Sequence, residues 1–325
     1  MNDTISFTNT SNNDNLHKIL FIIVICVSIP SILINLFAIY RLHSSTKLSV
    51  FVFRCVLHVS LFTTLTCVPF FLIELYYNLY FPLPLIVCNI WSIIDYSSIV
   101  CLGLLVCWAS IQRHILIFGP IHLKKLQSTL KFKLIPCLFA LGFPLIWYSI
   151  LVFAYECTKD RSIRPECRPC FENQTTIFLI DTLLSLLFPL LITIFVTLFL
   201  LIRILRLRLT LFRSNTKKWR RCKRLTRQML LFSFIYTIGL LPYVLTNFNS
   251  LYKFWPVFDL PWTIQITDMF TYVPCCFSSF LSIYAFPEIW DHQRTRQYYP
   301  ANSWRAKRKP RKLSITLPTS SSTEM

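Results

Sequence analysis

The chain has 325 residues, of which 54% are hydrophobic, 16% are aromatic and 14% are charged. A soluble domain carries about 25% charged residues, so this composition excludes an ordinary soluble protein and predicts extensive contact with lipid. Only 4 residues are Gly, whereas 18 are Pro. That balance disfavours Gly-rich nucleotide-binding loops and favours the kinked helices that a membrane tolerates.

Seven runs of sequence are long and apolar enough to cross a bilayer, whose core requires about 20 helical residues. In chain order they cover 19–40, 48–73, 88–118, 133–154, 176–203, 228–250 and 262–286. Residues 1–18 are polar and lack the basic start of a signal peptide, so we expect the first run to stay as an anchor. The sequence therefore predicts an all-α membrane protein, a seven-transmembrane helix bundle at 19–286 between a tail at 1–18 and a basic, Ser/Thr-rich tail at 287–325.

The positions of Lys and Arg predict how the bundle is oriented, because cytoplasmic loops are enriched in both. If the odd-numbered spans run inward, the cytoplasmic parts are the first connection, 113–133, 203–227 and the tail from 287. These parts hold 27 of the 33 Lys and Arg residues. We therefore expect a multi-pass protein of the plasma membrane with an extracellular N-terminus and a cytoplasmic C-terminus. The formal charge of +19 then belongs to a face that meets lipid, and not to a surface that binds nucleic acid.

Two further patterns agree with this orientation. Glycosylation sequons occur in segments that are predicted to be extracellular, at Asn2, Asn9 and Asn173. Four cysteines also lie outside the membrane or at its outer edge, and an even number in an oxidising compartment implies two disulfides. They are Cys88, Cys157, Cys167 and Cys170.

The third span presents three polar or reactive residues on one face. Cys88 and Asp95 are almost two helical turns apart, and Asp95 and Arg113 are five turns, or about 27 Å, apart. A charge within a span is costly and usually faces the bundle interior or a water-filled cavity. The helix therefore carries a cysteine at its outer end, an acid in its outer half and a cation at its inner edge.

The third span ends in Gln112-Arg113-His114, followed by Pro120. With Cys88 at its start, this span resembles the third helix of the rhodopsin-like family of G-protein-coupled receptors, which begins with a bridged cysteine and ends in an acid-Arg-Tyr triplet. The resemblance covers roughly residues 17–295 and includes the mid-helix prolines of the fifth and sixth spans, here Pro189 and Pro242. It implies a receptor that binds an extracellular ligand and signals through a heterotrimeric G protein.

Tyr284 resembles the last residue of the family's Asn-Pro-x-x-Tyr signature. The chain departs from the family elsewhere, with Phe280-Leu281 in place of Asn-Pro, Leu240 in place of Trp, and Ser60 or Leu61 in place of Asp. These departures erase the family's internal sodium site and weaken its usual switch. The resemblance assigns the remaining switch and G-protein coupling to Gln112, Arg113, His114 and Tyr284, and the neutral Gln112 predicts raised basal activity.

Four acids lie in the outer halves of the spans, where no Lys or Arg accompanies them. By the resemblance, Asp95 lies where amine and some peptide receptors hold a ligand cation, and Asp181 lies where amine receptors contact the far end of the ligand. Glu74 and Asp268 add to a negative cavity that would concentrate a cation. We predict that these four acids bind an amine or a basic peptide, with aromatic walls from Tyr243, Phe248, Trp262 and Tyr272.

Two alternatives to this pocket stay open. In the first, nearby hydroxyls such as that of Tyr96 or Ser97, or a neighbouring helix, satisfy Asp95, and it binds no ligand. In the second, the basic residues of the second extracellular loop fold over the acids and neutralise them; these are Arg161, Arg164 and Arg168.

The resemblance also implies that Cys88 is bridged to the second extracellular loop. Cys170 lies 19 residues before Pro189, near the family spacing. We therefore predict the pair Cys88–Cys170, which leaves Cys157–Cys167 as the second disulfide. Cys167 is the rival partner of Cys88, because sequence does not determine connectivity.

The cytoplasmic segments predict further contacts. The basic segment 203–227 extends the fifth and sixth helices, and it would contact anionic lipid of the bilayer or a G-protein surface. The tail ends in several Ser and Thr after a basic run, a composition typical of disorder. Phosphorylation there would add charge and recruit an arrestin-like partner.

No spacing of His, Cys, Asp or Glu resembles a catalytic or metal site, so we expect neither an enzyme nor a metal or cofactor. Two other functions stay open. A seven-helix transporter or channel is disfavoured by the absence of an internal repeat and of Gly-rich broken helices. A ligand-binding decoy receptor without G-protein coupling is permitted by the incomplete switch.

Overall fold

The computed structural model describes the backbone of residues 3–43, 51–76, 84–118, 130–155, 169–210 and 216–285. The chain divides into two compact units after Ala285, and every described residue lies in the first unit. Seven long helices make up most of the described part. They are α1 (Asp3–His43), α2 (Phe51–Tyr76), α3 (Leu85–Phe118), α4 (Leu130–Ala154), α5 (the successive segments Thr175–Asp181, Thr182–Leu187 and Phe188–Thr210), α6 (Thr216–Tyr252) and α7 (Pro261–Ala285).

The helices coincide with the predicted spans, and the prediction of an all-α membrane bundle is confirmed. Six of the described helices, α1 to α6, are long and apolar enough to cross a membrane. α7 is less apolar because Gln265, Asp268 and a series of hydroxyl residues interrupt it. Most of those hydroxyl residues are buried against neighbouring helices: Thr263, Thr267, Thr271, Ser278, Ser279 and Ser282.

The ends of several helices extend past the predicted spans. α1 begins at Asp3, so helical backbone covers most of the tail that was predicted at 1–18. α5 ends at Thr210 and α6 begins at Thr216, so both helices continue into the basic segment 203–227, as predicted. Helix formation needs no apolar sequence, so it does not stop where hydropathy falls.

α3 lies at the centre of the bundle. It contacts α2, α4, α5, α6 and α7, and α7 contacts α1, α2 and α6, which closes the ring of helices. Apolar side chains on the outer faces, such as Leu33 and Phe195, are exposed in the protein because lipid would cover them. Residues of α3 therefore meet more of the bundle interior than those of any outer helix.

The helical path of α5 changes where Pro189 interrupts it. Proline lacks an N–H donor and crowds the carbonyl of the preceding turn, and the turn Thr182–Leu187 just before it is π-helical. The hydroxyl of Thr193 donates to the carbonyl of Pro189 at 2.8 Å. A threonine hydroxyl also supports the proline of α6, where Thr246 donates to the carbonyl of Pro242 at 3.0 Å.

α7 is held to its neighbours by hydroxyls and by one close backbone approach. Ser31 of α1 donates to the carbonyl of Cys276 at 2.8 Å, and Ser278 donates to the hydroxyl of Ser60 of α2 at 2.8 Å. On the α6 side, a Cβ added to Gly239 would lie 2.5 Å from Cδ of Pro274. Only glycine therefore permits this approach of α6 to α7, in the manner of small residues at membrane helix contacts.

Candidate ligand-binding site

A short segment before α5 inserts into the end of the bundle that is predicted to be extracellular, called here the outer end, the opposite end being the inner end. Cys88, at the start of α3, and Cys170 are both disulfide-bonded, and Cys170 begins a 3-10 turn that runs to Asn173. Phe171, which directly follows Cys170, has no exposed surface. Its ring packs edge-on against Tyr96 of α3 at 5.9 Å between centroids and lies 6.3 Å from Tyr148 of α4. The turn thus fills the space between the outer ends of α3 and α4.

Tyr96 connects this turn to the candidate ligand site. Its hydroxyl donates a hydrogen bond to the carboxylate of Glu172 in the turn. Tyr96 directly follows Asp95 in α3, so the residue that contacts the turn is adjacent in sequence to the acid. The hydroxyl of Tyr96 therefore does not satisfy Asp95, and that of Ser97 donates to the carbonyl of Ile94 at 3.1 Å. The donor to Asp95 comes from a neighbouring helix, as the other form of that alternative has it.

Asp95 faces α2 and α7. The hydroxyl of Tyr272 in α7 donates to its Oδ1 at 2.8 Å, and the thiol of Cys67 in α2 is a further neighbour. The ring of Tyr272 lies 5.2 Å from that of Phe71 in α2. Asp95 is partly exposed, and among the described residues no Lys or Arg pairs with it. Its partners are thus a hydroxyl of α7 and a thiol of α2, and it lies beside the aromatic rings of Tyr272 and Phe71.

Asp181 has different surroundings on the other side of α3. It is 3% exposed and accepts three hydrogen bonds: from Nε1 of Trp147 at 2.9 Å, from the Tyr148 hydroxyl at 3.1 Å and from the Ser185 hydroxyl at 2.8 Å. Trp147 and Tyr148 belong to α4, whereas Ser185 belongs to the π-helical turn of α5. Asp181 therefore joins α4 to α5, and its oxygens are already occupied.

The other two predicted acids lie near the same outer region. Glu74 of α2 is close enough to Tyr272 to contribute to its electrostatic environment. Asp268 of α7 lies one turn before Tyr272, and its backbone carbonyl accepts from the hydroxyl of Thr271 at 2.6 Å. Both carboxyl residues are half-buried, and each interacts with other residues of the protein. The structure thus groups Asp95, Glu74 and Asp268 around Tyr272 and separates Asp181 from them.

Several residues of the site had no sequence signal. Tyr272 was predicted only as an aromatic wall, and Phe71 and Cys67 are apolar residues of a span that is apolar throughout. Glu172 lies two residues after Cys170, so the disulfide of that cysteine brings it to the bundle, which a charge in a loop does not by itself indicate. Hydropathy does not distinguish the lipid-facing from the core-facing residues of such helices.

The inner end of α3 holds the second group of predicted residues. Arg113 and Gln112 are 2% and 4% exposed. The guanidinium carbon of Arg113 lies 5.0 Å from the centroid of the Phe53 ring in α2. The ring of His114 stacks on Phe199 of α5 at 5.3 Å. Arg113 and Gln112 are therefore buried in the bundle, and Arg113 and His114 each lie against an aromatic ring.

Some predicted sites lie outside the described residues. These are Asn2, Cys157 and Cys167. The backbones of Asn9, Asn173 and Tyr284 are helical, but their side chains are not among those described. The prediction of the pair Cys88–Cys170 agrees with the bonded state of both cysteines, and the pair Cys157–Cys167 stays a prediction.

The chain is similar to a known protein family. The model of a protein family described as "7 transmembrane receptor (rhodopsin family)" matches residues 32–281. None of the curated proteins compared with the chain matches it. The matched range begins within α1 and ends within α7, so it includes every helix of the bundle.

Proposed function

The chain belongs to the rhodopsin-like family of seven-transmembrane receptors, and on that basis we propose that it is a G-protein-coupled receptor for an extracellular cation. The proposed ligand is an amine or a basic peptide that pairs with Asp95. The observation that carries this proposal is the contrast between two acids of one bundle. Asp181 is buried with three donors, whereas Asp95 is partly exposed and accepts a hydrogen bond from one hydroxyl.

The chemistry of the site suits an ammonium or guanidinium group. The Tyr272 hydroxyl donates to Oδ1 of Asp95, and Oδ2 would accept a charge-assisted hydrogen bond from the ligand. The rings of Tyr272 and Phe71 would add cation–π attraction, which is stronger where water is excluded. The apolar faces of these two rings bind water weakly, so a ligand would displace it at little cost and the charge pair would contribute to affinity.

The remaining acids have different proposed roles. Glu74 and Asp268 would meet further charges of a longer ligand, such as a basic peptide. A direct contact between Asp181 and the ligand stays a prediction, and the three hydrogen bonds that it accepts count against it. We propose instead that Asp181 keeps the outer end of α5 against α4.

The proposal extends to the two sides of the membrane. The N-terminus would be extracellular, the protein would lie in the plasma membrane, and the G protein would bind at the inner face near Arg113. The basic residues of 203–227 would contact the G protein or anionic lipid, and the C-terminal tail would be open to an arrestin-like partner after phosphorylation.

A ligand screen tests the proposal. Cells expressing the chain are exposed to a panel of amines and basic peptides, and dissociation of each class of heterotrimeric G protein is recorded. We expect a cationic agonist, with a loss of potency of about tenfold or more in Asp95→Asn at equal surface expression, since a close charge pair in a binding site contributes about 1.5 kcal/mol or more. Tyr272→Phe, which removes only the orienting hydroxyl, should have a smaller effect.

Other outcomes distinguish the alternatives. An agonist that acts equally on wild type and Asp95→Asn would refute the pocket. Binding that depends on Asp95 without activation of any G protein would indicate a decoy receptor. Uptake of the ligand, or a membrane current, would indicate a transporter or channel.

A further inference from the structure

The inner end of α3 holds a buried cation, Arg113. Arg113 is 2% exposed, and its neighbours in sequence are the neutral Gln112 and His114. A buried cation needs a compensating partner. The guanidinium group lies over the face of an aromatic ring, since its carbon is 5.0 Å from the centroid of Phe53.

Phe53 contacts both Arg113 of α3 and a residue of a third helix, α6. It lies near the inner end of α2 and is 2% exposed, and its ring packs edge-on against Phe232 of α6 at 5.2 Å between centroids. Edge-on packing directs the positive edge of one ring at the negative face of the other. Arg113, Phe53 and Phe232 thus form a continuous buried contact from α3 through α2 to α6.

We propose that Phe53 is a positioning residue that holds Arg113 in the resting receptor and ties the inner end of α6 to it. This inference rests on the proposed function, because a restraint on the inner end of the bundle matters only if a G protein binds there. The cation–π contact is lost when Arg113 turns away from α2, and the link from Phe53 to α6 is lost when α6 withdraws Phe232.

Two substitutions separate the cation–π contact from simple packing. Phe53→Leu keeps apolar volume and removes the ring. Incorporation of 3,4,5-trifluorophenylalanine at position 53 keeps the shape of the ring and weakens its negative face, and with it the attraction for Arg113. Phe62→Leu is the matched control, since it makes the same change on the exposed face of α2.

The first measurement needs no G protein. Hydrogen–deuterium exchange of the unliganded protein in lipid nanodiscs is followed in the inner part of α6 and in α3 around Arg113. We expect both Phe53 variants to exchange faster in these segments, by roughly three- to tenfold, and Phe62→Leu to match wild type. Exchange that is unchanged in the trifluoro variant would overturn the cation–π contact.

The second measurement is basal signalling in cells. If the protein couples to a G protein, both Phe53 variants should signal more than wild type without ligand, and Phe62→Leu should not. Faster exchange with no signalling from any form, including wild type, would support the restraint and refute the proposed coupling. Signalling by wild type that both Phe53 variants leave unchanged would overturn the positioning role.

Discussion

At the scale of single residues, two carboxylates of the same bundle have opposite environments. Asp181 accepts from an indole, a phenol and a serine hydroxyl on two helices, whereas Asp95 accepts from the phenol of Tyr272. A buried carboxylate is costly unless donors surround it. Asp181 therefore joins α4 to α5, whereas Asp95 is the acid that we propose binds the ligand.

Substitution of the two acids should affect stability unequally. Asp181→Asn places an amide N–H₂ group against one of three donors, and each buried donor left unpaired costs about 1–3 kcal/mol. Asp95→Asn disturbs a single hydrogen bond beside partly exposed space. We expect Asp181→Asn to lower the unfolding temperature of the purified protein by more than Asp95→Asn does. Equal shifts of the unfolding temperature, measured by differential scanning fluorimetry, would contradict a structural role for Asp181 between α4 and α5.

Sequence predicted the residues of the two sites that differ in polarity from the apolar spans around them. Asp95, Asp181 and Arg113 are charges in apolar spans, and the cost of burying a charge marks them as sites. Phe53 and Phe71 belong to a helix that is rich in apolar residues on every side, so their contacts with Arg113 and Tyr272 carried no signal. The three hydrogen bonds to Asp181 likewise depend on how α4 and α5 face each other.

At the scale of helices, hydropathy located the spans well because the bilayer sets their length and composition. α2 begins at Phe51 and α7 at Pro261, close to the predicted 48 and 262. Hydropathy predicted neither the helical extension of α1 to Asp3 nor the pairing of helices. Pairing depends on small residues and hydroxyls, such as Gly239 against Pro274 and Ser278 against Ser60.

The close contact of α6 and α7 can be tested with a matched pair of glycines. The added Cβ of Gly239→Ala would meet the ring of Pro274 at 2.5 Å, whereas nothing lies within 4 Å of a Cβ at Gly142 in α4. Overpacking costs about 1–3 kcal/mol, and alanine favours a helix over glycine by about 1 kcal/mol. We expect Gly239→Ala to lower the unfolding temperature and Gly142→Ala to preserve or raise it. A similar effect at both positions would show that α6 and α7 are not held this closely.

At the scale of the whole molecule, the two faces of the membrane differ in charge. The segments predicted to be cytoplasmic carry 27 of the 33 Lys and Arg residues, while the acids of the candidate ligand site lie at the other end of the bundle. Such an asymmetry attracts a cationic ligand from outside and anionic lipid or a protein surface from inside. Orientation is thus a premise of the proposed function.

Glycosylation tests this orientation. If the N-terminus is extracellular, Asn2, Asn9 and Asn173 are accessible to the glycosylation machinery. Protein expressed in mammalian cells should then lose apparent mass on treatment with peptide N-glycosidase F. The triple variant Asn2→Gln, Asn9→Gln, Asn173→Gln should migrate at the same position before and after treatment. An N-terminal epitope that antibodies reach only after the cells are permeabilised would contradict the orientation.

The central claim is that Asp95 selects a cation, and the most direct test compares ligands that differ only in charge. The affinity of a cationic agonist from the screen and of its uncharged isostere is measured on wild type, Asp95→Asn and Asp181→Asn in nanodiscs. Wild type and Asp181→Asn should prefer the cation by about tenfold or more, and Asp95→Asn should bind both ligands with similar affinity. A preference for the cation that Asp95→Asn keeps in full would contradict the account.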